Sequence, residues 1–505
     1  MTRTPGLMGM VLLAGMVGAT LIQHMGRTTR PAERGGVAGA IVRTVPVGPQ
    51  PINVQVDEQT GRAFVLNNGD DSVSVLDTRT GQIIDTAPLK RLGNGPVAAA
   101  MTVDARAGRV VIMNWDKSVS VLDARSGRLL YTVPSGGASD SVVVNTRTGR
   151  IFVSNWGDFM PSSQHPDVDV FKGGNTITVI DTRTGRHVGT IHVKGNPSAM
   201  AVDERTGRVF VKSDGGGFPG YTKLVSTLDG TSGRLVRTVV VGHDPRGQNP
   251  SQGAGNIVVD TRSGHVFVTS PYAESVSMLD ATSGRLLRTV GGVHPGPAVV
   301  DERSGRVFVL NGGGHGTTGG TASVIDSRTG RVLGNVPVGK STGLPVTPLV
   351  DAQTGRVFIA NNASGTVSVL DARSGALLRT VPVGPHPAAM SVDVRSGRVF
   401  VSSLGAMTSA GYLTGPGSVS VLDARNGLLV RTIIVGVEPA LIAVDERVGR
   451  AFVVNVAGNS HDALAPIRSL VPGLPPSVPP CNTYGRVSIR CHVPDGSVNV
   501  LDATR

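Results

Sequence analysis

The chain has 505 residues, which is enough for several ordinary domains or for one large repeat array. Hydrophobic residues make up 39% and aromatic residues only 4%, so the composition excludes a core built mainly on aromatic rings. The net charge is +12, and 68 glycines are available for turns.

The first 35 residues predict a signal peptide or a membrane anchor, followed by a basic linker. Nothing charged lies between Arg3 and His24. The apolar helix predicted within Gly6–Ile22 is long for a signal-peptide core and at the short limit for a spanning helix. Val17–Ala19 offers a small-residue cleavage site. Export is therefore predicted, and the choice between a cleaved signal and a retained anchor stays open.

Two series of turns recur along the rest of the chain, each with an Asp and a Gly four residues later. The first series has nine copies, which begin at Asp57, Asp104, Asn145, Asp203, Asp260, Asp301, Asp351, Asp393 and Asp445. The second series begins at Asp77, Asp123, Asp181, Asp229, Asp280, Asp326, Asp371 and Asp423, and Asp502 begins a ninth copy. Asp opens such a turn by binding backbone two residues ahead, and Gly supplies the left-handed conformation that closes it.

The runs between these turns are short and rich in β-branched residues, as in Thr366–Asp371, and they predict strands. Four strands in each repeat of about 40–50 residues predict an all-β fold, a single β-propeller with four-stranded antiparallel blades. Nine repeats predict nine blades, with eight or seven as alternatives. The propeller should span residues 36–505, with a proline-rich, cysteine-containing insertion at residues 456–496.

The two chain ends predict how the ring closes. The last repeat has a third strand, Ser497–Asp502, but no room for a fourth. Residues 40–48 precede the first repeat and have the same pattern as the other fourth strands, such as Leu377–Gly384. We therefore expect residues 40–48 to pair with Ser497–Asp502, which leaves no open sheet edge between the chain ends.

A motif recurs inside the repeats. Phe64–Asp77 contains Phe-Val-x-Asn, a short loop and Ser-Val-Ser-Val-Leu-Asp, and Val383–Pro387 contains Val-Gly-x-x-Pro. With this motif the chain resembles the YVTN-type β-propeller repeat of YncE-like and surface-layer-associated proteins. The similarity covers residues 40–505, although the first motif residue is Phe or Val instead of Tyr. The resemblance implies an exported propeller used for binding, and it implies no shared catalytic residue.

The predicted ring has two unlike faces. The Asp–Gly turns share one face, here called the regular face, because they are nearly the same in every repeat. The loops between second and third strands and the connections between blades share the other, the irregular face. Its longest predicted loops are Trp156–Asn175, Lys212–Thr222, Asn311–Gly320, Ser402–Gly417 and Val456–Gly496. Because variable loops on a rigid frame collect binding groups, we expect the irregular face to bind the ligand.

Six polar residues precede a proline in the blade connections and are candidate ligand-binding residues at the channel mouth: Gln50, Asn196, Asp244, His294, His386 and Glu438. Four of them are also candidate metal ligands, namely Asp244, His294, His386 and Glu438. The favoured alternative is that they are solvated loop residues. Side chains on separate blades are expected to lie too far apart for one ion's ~2 Å bonds.

Trp115 and Trp156 follow the motif Asn in adjacent repeats and are candidate ligand-binding residues. On neighbouring blades they could form a stacking platform for a sugar ring or a nucleobase. The alternative is that each ring covers its own blade. Cys481 and Cys491 are predicted to form a disulfide if the chain is exported, and to be two free thiols otherwise.

The sequence lacks a phosphate-binding loop, a nucleophile elbow, a zinc-protease motif and a dinucleotide fingerprint, so no cofactor is predicted. These observations favour an exported, non-catalytic propeller that binds a protein, a glycan or another polymer. It would be secreted or on the cell surface, and bound to a membrane through residues 6–22 if these are retained.

Two alternatives to such a binding protein stay open. The first is a lactonase-like or other hydrolase, with a metal or acid–base site at the channel mouth. The weaker second alternative is nucleic-acid binding, suggested by the net charge. Against it, much of the arginine occupies one fixed turn position rather than a patch, which favours a plain turn-surface role.

Overall fold

The computed structural model describes residues 41–90, 92, 100–114, 116–139, 141–161, 169–215, 221–244, 255–291, 294–311, 320–341, 346–407, 413, 415–457 and 495–503. Within these residues, 36 strands form nine four-stranded antiparallel sheets. The predicted all-β propeller with nine blades is confirmed. The predicted N-terminal helix and nearly all of the insertion, including Cys481 and Cys491, lie outside the described residues.

The strands in chain order are β1 (Ile41–Pro49), β2 (Pro51–Asp57), β3 (Arg62–Asn67), β4 (Ser72–Asp77), β5 (Ile83–Pro88), β6 (Ala100–Asp104), β7 (Arg109–Asn114), β8 (Ser118–Asp123), β9 (Leu129–Pro134), β10 (Val142–Asn145), β11 (Arg150–Pro161), β12 (Asp169–Asp181), β13 (His187–His192), β14 (Asn196–Asp203), β15 (Arg208–Gly215), β16 (Tyr221–Asp229), β17 (Leu235–Asp244), β18 (Ile257–Asp260), β19 (His265–Ser270), β20 (Ser275–Asp280), β21 (Leu286–Gly291), β22 (Pro295–Asp301), β23 (Arg306–Asn311), β24 (Thr321–Asp326), β25 (Val332–Pro337), β26 (Leu349–Asp351), β27 (Arg356–Asn361), β28 (Thr366–Asp371), β29 (Leu377–Pro382), β30 (Pro387–Asp393), β31 (Arg398–Ser403), β32 (Ser418–Asp423), β33 (Leu429–Ile434), β34 (Val437–Asp445), β35 (Arg450–Ala457) and β36 (Asp495–Asp502). Blade 1 consists of β2 to β5, and each later blade takes the next four strands. The first strands of neighbouring blades contact one another around the ring, and β34 contacts β2.

Blade 9 closes the ring with strands from both chain ends. Its strand order is β34, β35, β36 and β1, so the N-terminal strand occupies the outer position. Ile41 lies opposite Leu501, Val45 opposite Val498 and Pro46 opposite Ser497. The predicted closure is therefore confirmed. It removes the unpaired edge that β36 would otherwise expose.

The hydrophobic core lies between the blades. Each of nine buried clusters combines side chains from two neighbouring sheets, and one joins blade 9 to blade 1 through Val45, Val498 and Val54. Each second strand except β7 places a fully buried phenylalanine in these clusters, such as Phe64 or Phe358. With few aromatic residues in total, the chain fills the remaining volume with Val, Leu, Ile and Ala, as the composition requires.

The structure explains why Asn and alternating Ser recur in the motif. Asn67 ends β3, and its side-chain amide donates hydrogen bonds of 2.9 Å to the hydroxyls of both Ser72 and Ser74 on β4. Asn361 does the same with Thr366 and Ser368 in blade 7. All of these residues except the half-buried Thr366 are buried, so the bonds satisfy polar atoms that would otherwise lose their hydration without compensation.

Two of the predicted irregular loops are mostly strand. β11 and β12 pair as far as Pro161 and Asp169, and β15 and β16 pair as far as Gly215 and Thr222. These segments contain β-branched and aromatic residues, which favour extended pairing over a loop. Helix is nearly absent from the described residues, where it amounts to one 3-10 turn, Pro271–Ala273. No helix in the described part of the chain has the length and apolar character needed to span a membrane.

Candidate functional site

The backbone hydrogen bonds define the two faces. On the regular face the Thr78 amide donates to the Gly61 carbonyl, so the two Asp–Gly turns of blade 1 lie side by side. On the irregular face the Asn68 amide donates to the Gln50 carbonyl and the Leu404 amide to the His386 carbonyl. The blade connections therefore lie against the loops between second and third strands, as the sequence predicts.

The six pre-proline residues do not occupy equivalent environments. Gln50, His386 and Glu438 share a left-handed backbone, with φ of 48°, 52° and 56°, and are half-buried. Asn196 begins β14, opposite Asp214 of β15. Burial raises the pKa of Glu438. Only part of the predicted set therefore shares one structural position.

The structure places the other two pre-proline residues elsewhere. His294 is exposed, and its Nδ1 atom lies 3.5 Å from the Glu274 carboxylate. Asp244 is fully buried in β17, the outermost strand of blade 4, opposite Tyr221. Among the described residues, no three His, Cys, Asp or Glu side chains are grouped so that they could hold a metal ion.

Trp156 lies in β11 at a break in the strand register, between Asn155 and Gly157, and it is half-buried. Its backbone amide donates to the Ala138 carbonyl. Trp115 lies outside the described residues, so the stacking platform of two tryptophans stays a prediction.

A buried charged cluster, which the sequence analysis did not predict, lies on the irregular side of blades 4 and 5. It consists of Lys212, Asp214, Lys223 and Asp244, all at most 5% exposed, together with the half-buried tyrosines Tyr221 and Tyr272. The Lys223 Nζ atom lies 3.0 Å from the Asp214 carboxylate and within 5.8 Å of both tyrosine ring centres. The Lys212 Nζ atom donates to the Thr269 carbonyl of blade 5 at 3.1 Å.

Burial controls the electrostatics of this cluster. It lowers the pKa of Lys212 to about 8, with the nearby Lys223 adding to the shift and Asp214 opposing it. Burial, with the carboxylate of Asp244, raises the pKa of the Tyr272 hydroxyl. One sequence signal could have revealed the cluster, because other repeats have apolar Leu66 or Leu310 at the position of Lys212. Blade 4 thus has a buried lysine beside the irregular face, at a position where those blades have an apolar core side chain.

The turns of the regular face repeat one set of bonds. In blade 1, Asp57 accepts from the Gln59 amide and the Thr60 hydroxyl at 3.0 and 2.9 Å, and Gly61 has φ of 67°. In eight blades the arginine after the first turn pairs with the aspartate that ends the third strand: Arg62–Asp77, Arg109–Asp123, Arg150–Asp181, Arg208–Asp229, Arg306–Asp326, Arg356–Asp371, Arg398–Asp423 and Arg450–Asp502. These partly exposed pairs are each expected to contribute less than about 1 kcal/mol.

A second set of arginines lies two residues after the first residue of most of these turns. The inner arginine ring, on turns next to the channel, consists of Arg106, Arg147, Arg205, Arg262, Arg303, Arg395 and Arg447. The outer arginine ring consists of Arg79, Arg125, Arg183, Arg328, Arg373 and Arg425. All thirteen side chains are exposed. Because this turn position repeats around the propeller, the thirteen arginines form a patch on one face, contrary to the expectation that arginine at a fixed turn position does not form a patch.

Carboxylates link blades 8, 9 and 1 at the channel side of the regular face. Glu446 accepts a hydrogen bond from the Val394 amide at 3.2 Å, and its own backbone amide donates to Glu58 at 2.9 Å. Burial raises the pKa of Glu446 to about 7, and the negative charges of Asp393, Glu58 and Asp351 add to the shift. The folded protein therefore holds a proton here at pH values where the unfolded chain does not.

We expect the free energy of unfolding to fall as the pH rises from about 4.5 to about 7, because the raised pKa of Glu446 means that ionisation destabilises the fold. In Glu446→Gln this part of the pH dependence should be absent, which makes the variant more stable than the wild type by about 1–2 kcal/mol above pH 7, after discounting for solvent screening. Urea denaturation at several pH values measures this difference in the free energy of unfolding between the variant and the wild type. A difference that is the same at every pH would contradict ionisation as the cause.

Comparisons with known proteins agree with the fold. The family model described as outer membrane protein assembly factor BamB matches residues 69–304. No curated protein matches the sequence. Dihydro-heme d1 dehydrogenase NirN, solved in complex with DHE, is 16% identical with a TM-score of 0.51, over 77% of this chain and 78% of that one. BamB from Moraxella catarrhalis is 15% identical with a TM-score of 0.47, and the similarity covers 72% of this chain and 97% of that one. The chain is thus a β-propeller whose residues 69–304 are similar to BamB, while the YVTN-type assignment stays a prediction.

Proposed function

We propose that this protein is an extracytoplasmic, non-catalytic binding protein that holds a protein partner on its irregular face. The observation that carries the proposal is the contrast between the two faces. The regular face presents the same turn in every blade, so it offers no unique position for a specific partner. The irregular face has blade-specific hairpins, connections and the charged cluster of blade 4, and such differences allow one partner to be distinguished from another.

The match to a family model named for an assembly factor supports a protein partner, since assembly acts on other proteins. The uncharged apolar segment Gly6–Ile22 supports export. The metal-dependent form of the hydrolase alternative has less support, because Asp244, His294, His386 and Glu438 do not form a group that could hold a metal ion.

Site-specific photo-crosslinking in the cells that produce the full chain tests the proposal. A photoreactive residue at Lys194 or Lys340, which are exposed on the irregular face, should form a discrete adduct with another protein. The same residue at Gln353 or Asn426, which are exposed on regular-face turns, is the matched control and should form no such adduct. Protein adducts only from the regular-face positions, or from neither face, would contradict the proposal.

A further inference from the structure

Most exposed charges of the regular face are positive; its glutamates are Glu58, which is exposed, and Glu204, Glu302 and Glu446, which are half-buried. The arginines of both rings are exposed on this face, and three of them, Arg147, Arg303 and Arg395, also donate to backbone carbonyls of the neighbouring turn. The aspartates of the first turn series are at most 2% exposed, and those of the second series are half-buried. Exposed arginines on one flat face attract anionic groups, and phosphate accepts two parallel hydrogen bonds from a guanidinium group. The face is therefore suited to a surface that presents many phosphates.

An exposed aliphatic rim surrounds the same face. In eight of the nine blades, one or both of the first two residues of the fourth strand are exposed aliphatics, between 38% and 52% exposed; Ile84, Leu333 and Leu378 are examples. In all of these blades except blade 9, whose fourth strand is β1, the residues follow the glycine of the second-series turn by two or three positions. They therefore lie within about 10 Å of that turn. Exposed arginines, such as Arg237 and Arg379, come next along these strands. In these blades a cationic side chain thus lies next to the apolar rim.

The first strand of the propeller, β1, begins at the rim of the regular face. β1 begins at Ile41, opposite Leu501, one residue before the aspartate that begins the last regular-face turn. Ile41 and Val42 are themselves 39% and 47% exposed and belong to the aliphatic rim. The 40 preceding residues, which include the apolar segment Gly6–Ile22, are therefore attached at the rim of the regular face.

We propose that the regular face docks on an anionic lipid surface. Its arginine rings bind headgroup phosphates, and its aliphatic rim contacts the boundary between headgroups and acyl chains. A lipid surface explains the repetition, because a surface of identical headgroups needs no blade-specific contacts. Single-stranded nucleic acid fits less well, because its binding sites stack bases on aromatic rings, and among the described residues of this face no Trp, Tyr or Phe ring is exposed. The irregular face then points away from the membrane towards its partner.

Vesicle flotation with two charge-matched variants of the full chain tests this proposal. In the first, Arg79, Arg125, Arg328 and Arg373 of the outer arginine ring become Gln. In the control, Lys90, Lys117, Lys194 and Lys340, exposed on the irregular side, become Gln. On vesicles of phosphatidylcholine and phosphatidylglycerol, the arginine variant should lose affinity by about tenfold or more, and the lysine variant by less than about twofold. Equal losses in the two variants would overturn the proposal, because net charge, and not its place on the regular face, would then determine binding. Wild-type affinity in both variants would overturn it too, because the N-terminal segment, common to both, would then account for binding.

A second variant separates lipid from other anionic polymers. It removes three side chains of the aliphatic rim without changing the net charge, through Ile84→Ser, Leu333→Ser and Leu378→Ser. This variant should bind the same vesicles several-fold more weakly. If the arginine variant loses retention on double-stranded DNA but binds vesicles like the wild type, the face is a nucleic-acid surface and the proposal is wrong. Circular dichroism of each variant confirms that it is folded.

Discussion

Replacing Val45 with aspartate is expected to open the ring and to lower the free energy of unfolding by about 4 kcal/mol or more. Val45 is 5% exposed and lies opposite Val498 at the centre of the closing strand pair. It packs with Val500 and Phe452 in the cluster that joins blades 9 and 1. A carboxylate among these side chains would lose its hydration at the one blade where both chain ends must stay paired. Urea denaturation followed by circular dichroism measures the loss.

Val42→Asp is the control for this prediction. Val42 belongs to the same strand but is 47% exposed, so its substitution should change the free energy of unfolding by no more than about 0.5 kcal/mol. If the two variants unfolded at the same urea concentration, strand β1 would not hold the ring together in solution.

Replacing Asp214 with alanine is expected to destabilise the protein by about 3–5 kcal/mol, because it leaves the buried ammonium group of Lys223 without its carboxylate. Both side chains are at most 5% exposed, and the two charged groups are 3.0 Å apart. The tyrosine rings near Lys223 offset only part of the loss, since a cation over an aromatic ring contributes about 1–2 kcal/mol. Urea denaturation near neutral pH gives the difference.

The double variant Asp214→Ala/Lys223→Met shows whether the loss of stability comes from the broken ion pair or from the lost packing of the Asp214 side chain. Removing both charges restores the charge balance of the cluster, in which Lys212 and Asp244 remain, so most of the stability lost in Asp214→Ala should return. A double variant no more stable than Asp214→Ala would show that the cost comes from the side-chain volume of Asp214. If Asp214→Ala itself were as stable as the wild type, water would reach the cluster in solution.

The differences between the two faces suggest that each face binds a different kind of partner. A repeated face suits a repeated surface such as a lipid headgroup layer, and an irregular face suits one specific partner. The two proposals fail separately. Loss of vesicle binding concerns only the arginine rings and the rim, whereas crosslinks from Lys194 and Lys340 concern only the irregular face.

Local sequence information predicted most of the fold. The aspartate and glycine of each turn act within five consecutive residues, as the bonds of Asp57 to Gln59 and Thr60 show. The closing strand was also predictable, because residues 40–48 have the pattern of a fourth strand and the last repeat lacks one. The extension of the β11–β12 pairing to Pro161 and Asp169 was not, because the sequence after Asn155 lacks the repeated motif.

The candidate site was less predictable because its members come from different blades. Asp244 precedes a proline like His386, yet it lies in an outer strand, since β17 continues beyond the end of most fourth strands. Lys212 and Thr269 meet only because blades 4 and 5 pack face to face.

The sequence by itself determined the turns, the strands, the number of blades and the pairing of the two chain ends, because each depends on contacts within a repeat or on counting repeats. Only the tertiary structure decided which of the turn side chains are exposed and which buried side chains of different blades meet. It left thirteen arginines exposed on the regular face and buried two lysines in one cluster. The physical reason is that the ring sets the distances between blades, and nothing within a single repeat specifies them.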